Sequence, residues 1–157
     1  MEMKTIENLL EEHPFFAGLD TEYLDTLSGC GQNVVFQVGD EIMRQGDPAN
    51  YFFVIRHGLV SLLAHAPGRP PITIQTLQEG DILGWSWLFP PWLWQFGARA
   101  DTVVRVVRID AKCLRGKCEK DPALGYELAK RFAKVMVERL AWTRMQLIRV
   151  YDPPEKR

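Results

Sequence analysis

Few side chains of this sequence could do chemistry, and most of them are scattered. There are three cysteines, Cys30, Cys113 and Cys118, and three histidines, His13, His57 and His65. Cys113 and Cys118 share the run CLRGKC, but no Cys or His lies close enough in sequence to complete a tetrahedral metal site. Lys112, Arg115 and Lys117 flank these thiols and could lower a thiol pKa, as a redox sensor would require. Without further partners the two read as ordinary structural or surface cysteines, and Cys30 stands alone. The odd count argues against a secreted disulfide framework and for a reduced chain. Neither a Ser-His-Asp set nor paired carboxylates can be defended. A phosphate-cradling Walker loop and a G-x-G-x-x-G fingerprint are both missing. An enzyme is therefore not expected. The dense feature is aromatic: Trp85, Trp87, Trp92 and Trp94 fall within ten residues around Pro90-Pro91, with Arg99 the nearest cation. An indole offers a broad apolar face and a single donor. Four of them either fill a core or line a pocket or partner surface.

The elements that must position this cluster follow from pattern. The 157 residues suit one domain, and 46% hydrophobic with 25% charged residues is globular in character. Residues 4–13 read as a short helix stopped by His13-Pro14, and a second is expected after Asp20, ending near Gly29. From Asn33 to Asp110 short β-branched and aromatic segments follow one another: NVVFQV, EIMRQG, YFFVIRHG, LVSLLAHA, PITIQTL, DILGW and TVVRVVRI. Turn residues bound each of them, and residues 66–71 (APGRPP) suit a hairpin loop, so a β sandwich or barrel is expected. No apolar run has the length a membrane-spanning helix needs, and the acidic, amphipathic start is unlike a signal peptide. A cytoplasmic protein is the expectation.

Charge divides the chain. Residues 1–110 carry a net charge of -7 and residues 111–157 one of +6. A basic tail could contact nucleic acid, but its charges are interleaved with apolar residues, which favours a helix packed on the acidic N-terminal helix. Asp121-Pro122 is a helix start, and no proline interrupts the run that follows to Tyr151. At ~1.5 Å per residue that run would span about 40 Å. Leu124, Leu128, Phe132, Val135, Trp142 and Val150 form one apolar stripe. Tyr126, Val137, Leu140, Leu147, Ile148 and Tyr151 form a second. Two stripes need two partners, either the β body plus a second copy across Leu124–Val150, or one large body.

The glycine skeleton carries a resemblance. V-G-D-E-I at 38–42, R-Q-G-D at 44–47, Y-F-F-V-I-R-H-G-L-V at 51–60 and E-G-D-I-L-G at 79–84, followed by a long helix, resemble the cyclic-nucleotide-binding domain. This is the sensor module of catabolite-activator-type regulators and of kinase regulatory subunits. The resemblance covers nearly the whole chain. It implies a mainly β fold, a double-stranded β-helix (jelly-roll-like β-roll) of eight strands, with short N-terminal helices over residues 1–32 and a long C-terminal helix. It also implies a phosphate-binding cassette in residues 84–100. There, backbone N–H groups and an arginine would meet the cyclic phosphate, and a glutamate would accept the ribose hydroxyl.

This cassette departs from the family pattern. Gly84, Leu88 and Phe89 match, but Trp85 stands at the glutamate position and Trp87 where a small residue is usual. The arginine position falls on Trp94, or on Gln95 with a one-residue gap, and neither makes a bidentate charge-assisted contact. Arg99 is five residues past Trp94 and reads as a solvent-facing or salt-bridged strand residue. Gly84, Trp85, Ser86, Trp87, Trp94, Gln95 and Arg99 are the candidate ligand-contacting set. A nucleotide or other small ligand is possible there, with cyclic AMP and cyclic GMP expected to bind weakly or not at all. The family's regulators carry a helix-turn-helix after the long helix, whereas only PPEKR follows Asp152, so no recognition helix is expected. Some relatives bind haem through a histidine, and nothing singles one out here. The resemblance leaves two readings open. One is a homodimeric regulatory or ligand-sensing module. The other is an accessory subunit docking through Trp85–Trp94 on a larger complex, such as a soluble NAD-reducing hydrogenase.

Overall fold

The computed structural model describes residues 4–152, so the short run after Asp152 lies outside the described residues. Helix α1 (Ile6–Glu12) starts at Thr5, whose hydroxyl accepts from the Asn8 amide. His13 then closes α1 and caps a 3-10 turn, Pro14–Phe16, with its own ring. Helix α2 (Thr21–Ser28) follows Asp20 as expected, although the Asp20 side chain makes no capping bond.

Eight strands follow: β1 (Gly31–Phe36), β2 (Glu41–Met43), β3 (Tyr51–His57), β4 (Val60–Ala64), β5 (Ile72–Leu77), β6 (Ile82–Leu83), β7 (Gly97–Ala100) and β8 (Val104–Asp110). They form two antiparallel sheets ordered β1-β8-β3-β6 and β2-β7-β4-β5. The chain thus has the expected mainly β jelly-roll with flanking helices. Strand β7 was not legible as a separate strand, because GARA has little intrinsic strand preference. Its pairing between β2 and β4 overrides that preference. At the β3–β4 corner Gly58 has φ +98°, and a methyl group there would lie 2.3 Å from the Val103 carbonyl oxygen, so only glycine fits.

Strand β3 shows how the molecule is layered. Its apolar run YFFVIRH has no polar alternation because both of its faces are buried. Phe52 and Val54 face a core under the helices with Leu10, Phe16, Leu27, Leu114, Leu124, Leu128 and Phe132. Phe53 and Ile55 face a second core inside the roll with Leu62, Leu83, Ala98, Val104 and Val106.

Helix α3 (Ala111–Lys120) is capped by Asp110, which accepts from the Cys113 amide, and α4 (Pro122–Tyr151) by Asp121, which accepts from the Leu124 amide. The N-terminal half of α4 buries Leu124, Leu128 and Phe132. From Leu140 to Tyr151 every residue except Gln146 is exposed. The union of α4 with the N-terminal segment is not ionic. Phe15 meets Phe132 edge-on, and the Arg131 guanidinium donates to the carbonyls of Phe15 and Ala17. Among the described residues no ion pair links α4 to α1.

The reduced-chain expectation is overturned: Cys30 and Cys113 form a disulfide across 83 residues of sequence. Register is the cause. Gly31 pairs with Ile109, which sets Cys30 beside the first turn of α3. The basic neighbours do not activate Cys118 either. Burial, with a contribution from Asp121, pushes its thiol pKa up. A disulfide also removes the cysteine argument for a reducing compartment. No helix among the described residues is long and apolar enough to cross a membrane.

Candidate functional site

The chain leaves β6 through Gly84, with φ +92°, a backbone conformation that side-chain-bearing residues rarely adopt. The ring of Trp94 lies directly on this glycine. A methyl group on Gly84 would sit 2.8 Å from Trp94 Cζ3 and 2.9 Å from Cη2. Trp94 is only 6% exposed and belongs to the core of the roll, with its ring tilted against Phe53. Its backbone is held as well. The Trp94 amide donates to the Asp47 carbonyl, and its own carbonyl accepts from Gly46, both at 2.9 Å.

A 3-10 turn, Ser86–Leu88, carries Trp87 inside it and Trp85 at its N-cap. Trp87 is buried in the helix-side core, stacked on Phe52 and edge-on to Phe132, with its Nε1 unpaired. Ser86 is buried beside it. Trp85 is half-buried at the margin of the same core and also meets Phe96 edge-on. Beyond the turn, Phe89, Trp92 and Leu93 are exposed around Pro90-Pro91. Arg115 of α3 clamps this loop: it donates to the Trp87 carbonyl at 2.9 Å and its guanidinium lies 4.7 Å from the centre of the Trp92 ring. The sequence offered no signal for this clamp, since Arg115 attracted notice there only as a neighbour of two thiols.

Gln95 is exposed and bonds the Leu93 carbonyl. Arg99 is exposed on β7 and pairs with Asp101 at 3.5 Å. The seven candidate residues therefore divide. Gly84 and Trp94 touch each other, Trp87 and Ser86 are packed, Gln95 and Arg99 face solvent, and Trp85 lines a cavity.

That cavity, about 320 Å³, lies between the second sheet and α4. Leu62, Ile74, Trp85 and Phe96 form one side, and Met136, Arg139, Leu140 and Trp142 the other. Trp142 is oriented by a bond from its Nε1 to the Ile74 carbonyl at 3.0 Å. Arg139 reaches under the helix and donates to the carbonyl of Ile82 at the start of β6. Pattern reading missed Arg139. A lone arginine on a basic amphipathic helix looks like part of its solvated face, and only the crossing of α4 over β6 turns it inward. Burial lowers its pKa to about 10, against opposing effects of Asp81 and Glu138, so it is charged at neutral pH.

The sequence profile of the cyclic nucleotide-binding domain family matches residues 33–121. Among curated proteins, the chain is 35% identical over 78 residues to the cAMP-dependent protein kinase regulatory subunit of Schizosaccharomyces pombe, covering 50% of this chain and 18% of that protein. It is 24% identical over 142 residues to a CRP-like cAMP-activated global transcriptional regulator of Mycobacterium tuberculosis, covering 90% of this chain and 62% of the regulator. The chain thus spans less than two thirds of the length of both relatives. Among solved structures, a protein of Geobacter metallireducens named for cyclic nucleotide binding superposes with a TM-score of 0.77 at 29% identity, over 88% of this chain and 99% of that one. A cyclic nucleotide-binding domain from Methylobacillus flagellatus gives 0.74 at 18% identity, over 98% and 84% of the respective chains.

Proposed function

The chain belongs to the cyclic nucleotide-binding domain family, and we propose that it is a non-catalytic regulatory module whose pocket has turned away from cyclic AMP and cyclic GMP. The contact of Trp94 with Gly84 carries this reading. In the family pattern the main chain at that glycine and an arginine at the Trp94 position would meet the phosphate. Here an indole covers the glycine, and an indole cannot neutralise a phosphate. The residues present do not fit the messenger, and Trp85 supplies no carboxylate for a ribose hydroxyl. The relatives named as a kinase regulatory subunit and a transcriptional regulator support a regulatory role.

The C-terminal half of α4 supports a two-fold homodimer as the working form. Leu147, Ile148 and Tyr151 are exposed on one helix, past the last residue of α4 that lines the cavity against the second sheet. A ligand seated against Met136 and Leu140 would touch the helix that carries this stripe, which couples sensing to assembly. Replacing Leu147 and Ile148 together by glutamate is expected to convert dimer to monomer in sedimentation equilibrium. A monomeric unaltered protein would remove the dimer from the reading.

A second reading rests on the exposed Phe89, Trp92 and Leu93. This apolar prominence, clamped by Arg115, suits docking on a larger complex. Purification from the native cell with and without Trp92→Ala distinguishes the two, since only docking requires a co-purifying partner that the substitution releases.

Calorimetric titration tests the main proposal. Cyclic AMP and cyclic GMP are each expected to bind with a Kd no tighter than about 1 mM. Micromolar binding of either by the unaltered chain would overturn it.

A further inference from the structure

The cavity beneath α4 combines apolar walls with one cation. Leu62, Ile74, Trp85, Phe96 and Trp142 supply flat or aliphatic surface, and Arg139 supplies the charge. No carboxylate of the described residues pairs with Arg139. Its one described hydrogen bond, to the Ile82 carbonyl, uses one of five guanidinium donors. The guanidinium sits in the wall between this cavity and the neighbouring one, where Asp81 and Glu138 offset part of the cost of its partial burial without pairing with it. An anion entering the apolar cavity would complete the pair.

We propose that this cavity binds an amphipathic organic anion, with a single carboxylate on Arg139 and a flat apolar body between Trp85 and Trp142. The assignment rests on the proposed loss of cyclic-nucleotide binding and names the ligand class that replaces it. A planar guanidinium matches a carboxylate in a two-point fork. The indole walls favour an aromatic body over a sugar, because besides Arg139 the lining offers only the Gln75 and Thr143 side chains and the indole N–H groups of Trp85 and Trp142, the latter already bonded to Ile74. A volume of about 320 Å³ sets the size at the small end of ligand pockets, which run from ~300 to 1,000 Å³. The neighbouring cavity, about 410 Å³, also touches Arg139, but Asp81 and Glu138 line it together with Arg131 and Lys134, and such mixed charge selects no anion.

The test compares 1-naphthaleneacetate with 1-naphthaleneacetamide by calorimetry on the full chain. The two probes share a body and differ in charge. The acid is expected to bind about tenfold tighter than the amide. Arg139→Gln should abolish that margin and leave both probes at the amide's affinity, while Trp85→Ala should weaken both. Equal affinities for acid and amide, or no binding of the acid, would overturn the assignment. The comparison on unaltered protein decides this even where a variant folds poorly. Cyclic AMP serves as the third titrant. If it binds, the proposed function fails. If it and the acid are both silent, only the present inference fails.

Discussion

The loop at Gly84 and the cavity under α4 draw on one tryptophan-rich segment, yet they end in opposite states. At Gly84 the indoles are consumed by packing. Trp94 closes over the glycine inside the roll, and Trp87 stacks on Phe52 under the helices. Under α4, Trp85 and Trp142 line one cavity together with Arg139. The comparison teaches that aromatic density does not define a site. Trp85 and Trp87, two residues apart, touch the same helix-side core, but Trp87 is fully buried in it whereas Trp85 stays at its margin and lines the cavity.

The sharpest way to break this contrast is truncation. Trp94→Ala and Trp87→Ala should each cost about 3–5 kcal/mol of unfolding free energy in urea titrations, as expected for buried aromatics. Trp85→Ala, at the edge of a cavity, should cost about 1 kcal/mol. Equal losses at all three positions would mean that cavity and plug are not different environments. Reduction of the Cys30–Cys113 bond comes next. A loop of this length contributes on the order of 4 kcal/mol in the chain-entropy account. Urea midpoints with and without reductant measure it. Because the bond ties the residue before β1 to α3, and neither cysteine lines the cavity, the affinity of the cavity should not change. Gly84→Ala places a methyl group against the Trp94 ring at positive φ and should cost about 1–3 kcal/mol. An unchanged melting temperature would mean that the indole is not seated on the main chain.

The smallest expected effect is a pH dependence from His13, which lies outside both regions. Its Nδ1 accepts from the Phe15 amide, and its Nε2 lies 3.3 Å from the Ile55 carbonyl, so the ring is held neutral. Burial lowers its pKa, against opposing contributions from the Ile55 carbonyl and Asp81. The folded state then binds fewer protons than the unfolded one. Stability from this group is complete above the ordinary value of 6.5 and is lost as pH falls through the lowered folded value. Urea titrations across that range should show the decline, and His13→Gln should flatten it. A decline that persists in the variant belongs to another group.

Much of the architecture was written locally. Asp121-Pro122 begins α4, His13-Pro14 ends α1, and the glycine-aspartate turns divide the strands, because capping, proline geometry and positive φ act over a few residues. The residue types on which the proposed loss of cyclic-nucleotide binding rests were equally legible, since none of Trp85, Trp94 and Gln95 carries a charge. Strand β7 was hidden because Gly97 and Ala98 gain their strand state only from β2 and β4. The Cys30–Cys113 bond was hidden because it depends on the register of β1 with β8, which two distant segments set together. The inward turn of Arg139 needed the crossing of α4 over β6. Short-range sequence thus determined the elements and placed tryptophans at positions 85, 87 and 94. Tertiary structure alone decided which cysteines meet, which indoles are consumed by packing and that Arg139 turns inward to Ile82, because burial and proximity are properties of several segments at once.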